Sequence, residues 1–150
     1  MHSIAQLFLL FVLPFISAGV MNPQTTTDRE AIKQTALDYI EGYYTGDAAR
    51  MERALHPDLA KRIVRVDPAT GKQRLDNMTA TQLVQVTRAR QGRPTPPEKQ
   101  QKDVTILDVF ENSACVKIVA ADWIDYLQLS KFDGRWVIVN VLWEMKPAKK

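Results

Sequence analysis

The segment Ala114–Met145, A-C-V-K-I-V-A-A-D-W-I-D-Y-L-Q-L-S-K-F-D-G-R-W-V-I-V-N-V-L-W-E-M, constrains this chain more than any other. Apolar, β-branched or aromatic residues recur at almost every second position, and Asp133-Gly134 supplies a two-residue hairpin turn. Such a pattern belongs to an antiparallel meander with one face buried. Helical periodicity dominates the first half, so the order helices-then-strands indicates an α+β domain with helices against one side of a sheet. A helix pair on a curved sheet leaves a pocket between them, and the candidate site is sought there.

The first mature helix is expected from Thr27-Asp28-Arg29-Glu30, a capping-box pattern in which Thr27 and Glu30 bond reciprocally. Ile32, Ala36, Tyr39, Ile40 and Tyr43 follow at helical spacing, with Leu37 and Tyr44 widening the stripe. Gly46 stops that helix, Asp47 caps a second over Ala48–Leu55, and His56-Pro57 ends it. Leu59–Val66 is predicted as a strand, closed by the turn residues Asp67–Gly71. Thr79 or Thr81 caps a third helix running to about Ala89, and G-R-P-T-P-P at 92–97 breaks the chain. Four strands are predicted over Val104–Phe110, Ala114–Ala121, Ile124–Phe132 and Trp136–Met145.

Ile4–Ile16 is an uncharged apolar run followed by Ser17-Ala18-Gly19. It is shorter than the roughly 20 residues a membrane span needs, and it predicts a signal peptide over residues 1–18. The remaining organisation is a flexible leader at 19–27, a domain at 28–146 and a basic tail at 147–150. Export to the periplasm or medium, with no stable membrane insertion after cleavage, is the expectation.

Cys115 is the only cysteine, which excludes an intramolecular disulfide and, inside a strand, predicts a small buried hydrophobe. The formal net charge of +3 arises mid-chain, where Arg50 to Lys102 holds twelve basic residues against five acidic ones. Those cations, Lys61 among them, are scattered and lack interleaved stacking aromatics, so a solvated surface is expected and nucleic acid is not a predicted partner.

Taken in order, A-I-K-Q-T-A-L-D-Y-I-E-G-Y-Y-T-G-D, A-L-H-P-D-L and D-Y-L-Q-L-S-K-F-D-G-R-W-V-I-V-N resemble the putative lumazine-binding family. That family lies in the NTF2-like superfamily, also called SnoaL-like or ketosteroid-isomerase-like. The resemblance spans Asp28–Met145. It implies a cone-shaped α+β barrel, with three N-terminal helices packed on a curved antiparallel sheet, a cavity at one end and a homodimer formed through the sheet. It assigns no catalytic role to a numbered position, and the superfamily's fold does not itself fix a function.

His56 and Asp125 are the candidate catalytic residues. His56, the only histidine beyond the predicted signal segment, follows a helix and could face the cavity with Asp125 or Tyr39 as partner. The alternative for it is a structural cap. In Asp122-Trp123-Ile124-Asp125-Tyr126, strand alternation puts Trp123 and Asp125 on one face. A carboxylate held beside a tryptophan in an apolar cavity is desolvated and suited to proton transfer. The competing reading turns Asp125 to solvent or to a dimer face. Tyr39, Tyr43, His56, Trp123, Asp125 and Asn140 form the predicted ligand-binding set. Asn140 is included because a polar group among Val137, Ile138, Val139, Val141 and Leu142 must be satisfied at a pocket or a dimer interface, or else point outward. No metal-ligand spacing occurs, and neither a metal nor another cofactor is predicted.

Three functions are compatible with these residues: a binder of a small, partly aromatic molecule, a cofactor-free acid–base enzyme of isomerase, dehydratase or hydrolase type, and a non-catalytic dimeric interaction module. The third would have its cavity filled by its own side chains.

Overall fold

A computed structural model describes residues 23–148. The predicted signal peptide and the end of the basic tail lie outside the described residues. The elements run α1 (Pro23–Thr45), α2 (Ala48–Ala54), β1 (Leu55–Val66), β2 (Gln73–Thr79), α3 (Ala80–Arg88), a short 3₁₀ turn (Pro97–Lys99), β3 (Lys102–Phe110), β4 (Ser113–Ala120), β5 (Trp123–Phe132) and β6 (Arg135–Met145). The chain is α+β, as its patterning requires.

Helix α1 buries Ile32, Ala36, Tyr39, Ile40 and Tyr44 along one face. It starts at Pro23 and takes in residues 23–27, which the sequence assigns to a leader, so Thr27 sits within the helix rather than at its cap. Gly46 ends α1 at φ +75°, with Asp47 N–H donating to the Gly42 carbonyl at 2.9 Å. Asp47 caps α2 by accepting from Arg50 N–H, as predicted. The absence of a side chain at Gly42 lets the two helices meet closely, because a Cβ there would stand 3.0 Å from Met51 N. Thr79 caps α3 in a capping box with Gln82.

The six strands form one sheet in the order β2-β1-β6-β5-β4-β3. All neighbouring pairs are antiparallel except β1 with β6, which is parallel. Register shifts between Leu55 and Ala60, Ile106 and Asp108, and Gln128 and Leu129 mark bulges or irregularities that bend the sheet. The edges β2 and β3 do not pair with each other, so the expected cone-shaped barrel is realised as a curved sheet that does not close. The helices do not all precede the sheet either, since α3 follows the β1–β2 hairpin.

α1 packs across β3, β4 and β6 and against α2. Ala114, Val116, Ile118, Leu127, Leu129, Trp136, Ile138 and Val141 supply the sheet's side of the core. Cys115 lies between two inward residues and is therefore exposed, correcting the buried hydrophobe expected from its strand. Among the described residues no helix is long and apolar enough to cross a membrane.

Candidate functional site

Strand alternation places Trp123, Asp125, Leu127 and Leu129 on the concave face of β5, where Asp125 is completely buried. In β1 the same rule aligns Leu59, Lys61 and Ile63, all buried. Tyr39 descends from α1 between these strands. The outcome is a polar cluster inside an apolar core. Lys61 Nζ donates to Asp125 Oδ1 at 2.5 Å and to the Tyr39 hydroxyl at 2.7 Å. Tyr39 donates to Asp125 Oδ1 at 3.2 Å, and Trp123 Nε1–H donates to Asp125 Oδ2 at 2.6 Å. Lys61 Nζ also stands 4.5 Å from the centroid of the Trp143 ring, a cation–π distance. The ammonium is thus held by a carboxylate, a hydroxyl and a ring face.

Burial sets the protonation chemistry here. It pushes the Lys61 ammonium below the ordinary lysine value, against the pull of the Asp125 charge. It raises the Tyr39 phenol well above 10, and the neighbouring Asp125 charge adds to that rise. Tyr39 therefore stays a proton carrier across the physiological range.

Above this floor lies a cavity of about 240 Å³, lined by Tyr39, Tyr43, Met51, Lys61, Met78, Leu83, Asp122, Trp123, Trp143 and Met145. Tyr43 meets Trp123 edge-on at a centroid separation of 5.3 Å, and the Arg90 guanidinium covers Tyr43 at 4.4 Å. Asp122 is exposed at the rim. A larger open groove of about 640 Å³ runs along α2 and α3, with Glu52, Arg53, Arg88 and Arg135 on its walls. Every polar residue lining that groove is exposed, so it lacks the buried convergent groups that orient a ligand. The smaller cavity is the candidate site.

Of the predicted site residues, Tyr39, Tyr43, Trp123 and Asp125 converge here. The solvent-facing alternative for Asp125 is overturned by its complete burial. His56 does not join them. Its ring stacks on Phe132 at 4.6 Å, and its Nδ1 accepts from Asp58 N–H at 3.1 Å, near the opposite end of β5. Asn140 donates to Gln128 across the sheet at 3.1 Å and belongs to the outer face with Arg62, Tyr126 and Leu142. The register shift beside Gln128 and Leu129 is the reason: it turns Val141 and Trp143 inward where strict alternation from Trp136 and Ile138 would turn Asn140 inward.

Lys61 is the residue of this cluster that the sequence pattern does not single out, because it stands among many scattered cations. Its place between Leu59 and Ile63 in L-A-K-R-I was the available signal. Among the described residues, no three of His, Cys, Asp and Glu gather as a metal ion would require.

Helices cupped by a curved sheet around an apolar cavity define an NTF2-like protein. The architecture matches an NTF2-like protein of unknown function from Shewanella baltica OS155 at 22% identity and a TM-score of 0.68, covering 85% of this chain and 100% of that one. It also matches one from Methylobacillus flagellatus KT at 21% identity and 0.63, over 81% and 94%, and a putative scytalone dehydratase from Novosphingobium aromaticivorans at 15% identity and 0.58, over 85% and 89%. More narrowly, the chain belongs to the putative lumazine-binding family, whose sequence profile matches residues 27–144. Among curated proteins none matches this sequence.

Proposed function

We propose that this protein binds a compact, planar, largely apolar molecule in the cavity above Lys61. The observation that carries this reading is an aromatic- and methionine-lined space whose floor is a buried, hydrogen-bonded Lys61–Asp125–Tyr39 cluster joined by the half-buried Trp123. Apolar walls supply affinity, while a few placed polar groups orient a ligand. Lys61 already turns one face of its ammonium to Trp143, and a ligand carbonyl can take over that N–H. The charge of Lys61 is balanced by Asp125, which favours a neutral ligand over an anion. The volume of about 240 Å³ suits one or two fused rings. The family description names lumazine, a planar bicyclic heterocycle that is more polar than these walls but has the size and the carbonyl acceptors the cavity suits.

Titration of the purified protein with lumazine and a panel of neutral aromatics, read by tryptophan emission and thermal denaturation, tests the proposal. A ligand at a hundredfold excess over its Kd adds about 2.7 kcal/mol of stability. Saturable quenching together with that stabilisation is the expected result; their absence for every compound refutes the reading.

Two further properties belong to the same reading. The apolar run at Ile4–Ile16 supports export, tested by amino-terminal sequencing of protein recovered from its host. The exposed Tyr126, Leu142 and Leu107 on the outer face support a homodimer through the sheet, tested by sedimentation of Leu142→Glu against the wild type. A cofactor-free acid–base enzyme is the second functional reading, favoured by the continuous proton-bearing contacts from Lys61 through Tyr39 to Asp125. The interaction module was to have a cavity filled by its own side chains, and the open cavity counts against it.

A further inference from the structure

We propose that Lys61 captures a compact apolar or aromatic aldehyde or ketone as a Schiff base, making the cavity a covalent carbonyl-binding site. The inference rests on the cavity being a ligand site, as argued above, and adds the chemistry of what enters it. Lysine becomes a nucleophile when it is desolvated and a neighbouring group can relieve it of a proton. Lys61 meets both conditions. Its side chain is 7% exposed and nonetheless lines the cavity. Asp125 Oδ1 stands 2.5 Å from Nζ as the proton acceptor, and the Tyr39 hydroxyl stands 2.7 Å away on the same nitrogen. Burial opposes the charged form of the amine. Tyr43, Trp123, Trp143, Met78 and Leu83 give an arriving carbonyl compound an apolar seat.

The step balances within these groups. One ammonium proton passes from Nζ to Asp125, and the freed lone pair adds to the carbonyl carbon while the π pair moves to oxygen. That oxygen takes the Tyr39 proton, and Tyr39 recovers one from the now cationic nitrogen, which leaves a neutral carbinolamine. The hydroxyl group then departs as water with the proton held by Asp125, and the nitrogen lone pair closes the C=N bond. The resulting iminium carries the charge that the ammonium carried, so the restored Asp125 carboxylate keeps its ion pair. Net release is one water, with no change in oxidation state.

The test uses the wild-type protein, benzaldehyde and sodium cyanoborohydride, with intact mass and peptide mapping, beside a titration of tryptophan emission without reductant. The exposed Lys33, Lys72 and Lys99 serve as internal controls. The expected result is a saturable single benzyl adduct at Lys61, formed at least about tenfold faster than on those controls, and absent from Lys61→Arg. Saturable quenching with Lys61 unmodified, or labelled no faster than the controls, overturns the covalent step and leaves the cavity as a non-covalent site. Absence of both quenching and a Lys61 adduct overturns the inference. If lumazine and the neutral aromatics are silent as well, the cavity reading falls with it.

Discussion

Asp125→Asn isolates the electrostatics of the buried cluster, because the replacement has nearly the same shape. Asp125 accepts from Lys61, Trp123 and Tyr39 while completely buried. Asparagine keeps one acceptor oxygen but presents an NH₂ group to one of those donors, and it removes the charge that balances Lys61. Breaking a buried ion pair by removing one partner costs about 3–5 kcal/mol. At roughly 3–5 °C per kcal/mol for a domain of this size, the melting temperature should fall by about 9–25 °C. Urea denaturation followed by tryptophan emission measures the loss directly. The pH dependence supplies an independent check. Lys61 already lies below the ordinary lysine value in the folded protein, and removing the carboxylate lowers it further. Between that folded value and the unfolded one, near 10.4, the unfolded chain binds more protons, so stability rises with pH. The deficit of the variant relative to wild type should therefore shrink from pH 7 to pH 10. Adding Lys61→Met should recover about 2 kcal/mol or more, by removing the unpaired charge. A deficit below about 1 kcal/mol that is flat with pH would refute the account of the cluster.

Four other substitutions probe the rest of the structure. Burial alone would raise the Asp38 carboxyl, but bonds from Arg50, Gln34 and Arg53 outweigh it and hold it below the ordinary value. Its contribution, about 1 kcal/mol, is present above the unfolded value near 3.9 and lost as pH falls through the folded one; Asp38→Asn should flatten that part of a urea stability–pH curve. His56→Ala should leave ligand affinity unchanged within about twofold and cost about 1 kcal/mol or less through its contact with Phe132, since His56 lies away from the cavity; calorimetric titration and urea melts check both. Gly46→Ala should destabilise by about 3 kcal/mol or more, because φ is +75° and the new Cβ would meet Gln91 N at 2.6 Å. Gly71→Ala, at φ +68° with open space around it, should cost only about 1 kcal/mol in the same melts.

What was legible in the sequence was local. The stripe on α1, the Asp133-Gly134 turn and the shared face of Trp123 and Asp125 all follow from periods of 3.6 and 2, which need no tertiary information. Strand β2, Q-R-L-D-N-M-T, carries no alternation because it is an edge strand without a fully buried residue, and nothing in it announced a strand. The true start of α1 was hidden because T-T-T-D-R-E satisfies a capping pattern and an ordinary helical turn equally well. Asn140 was misplaced by a register shift that composition does not mark. Lys61 shows a different failure: its net charge was noticed, while its parity in β1 was not used.

The parallel partnership of β1 and β6 brings together the first and last strands of the sheet. Lys61 is supplied by β1 and Asp125 by β5, and β6 is the strand that lies between them. During synthesis the lysine therefore leaves the ribosome long before its counter-ion, and both wait for the final segment to be inserted between them. An amino-terminal fragment ending before Trp136 holds all four residues of the cavity floor but lacks the strand that lies between Lys61 and Asp125. Completion of the candidate site therefore depends on β6, the strand made after every residue of the Lys61–Asp125–Tyr39–Trp123 cluster.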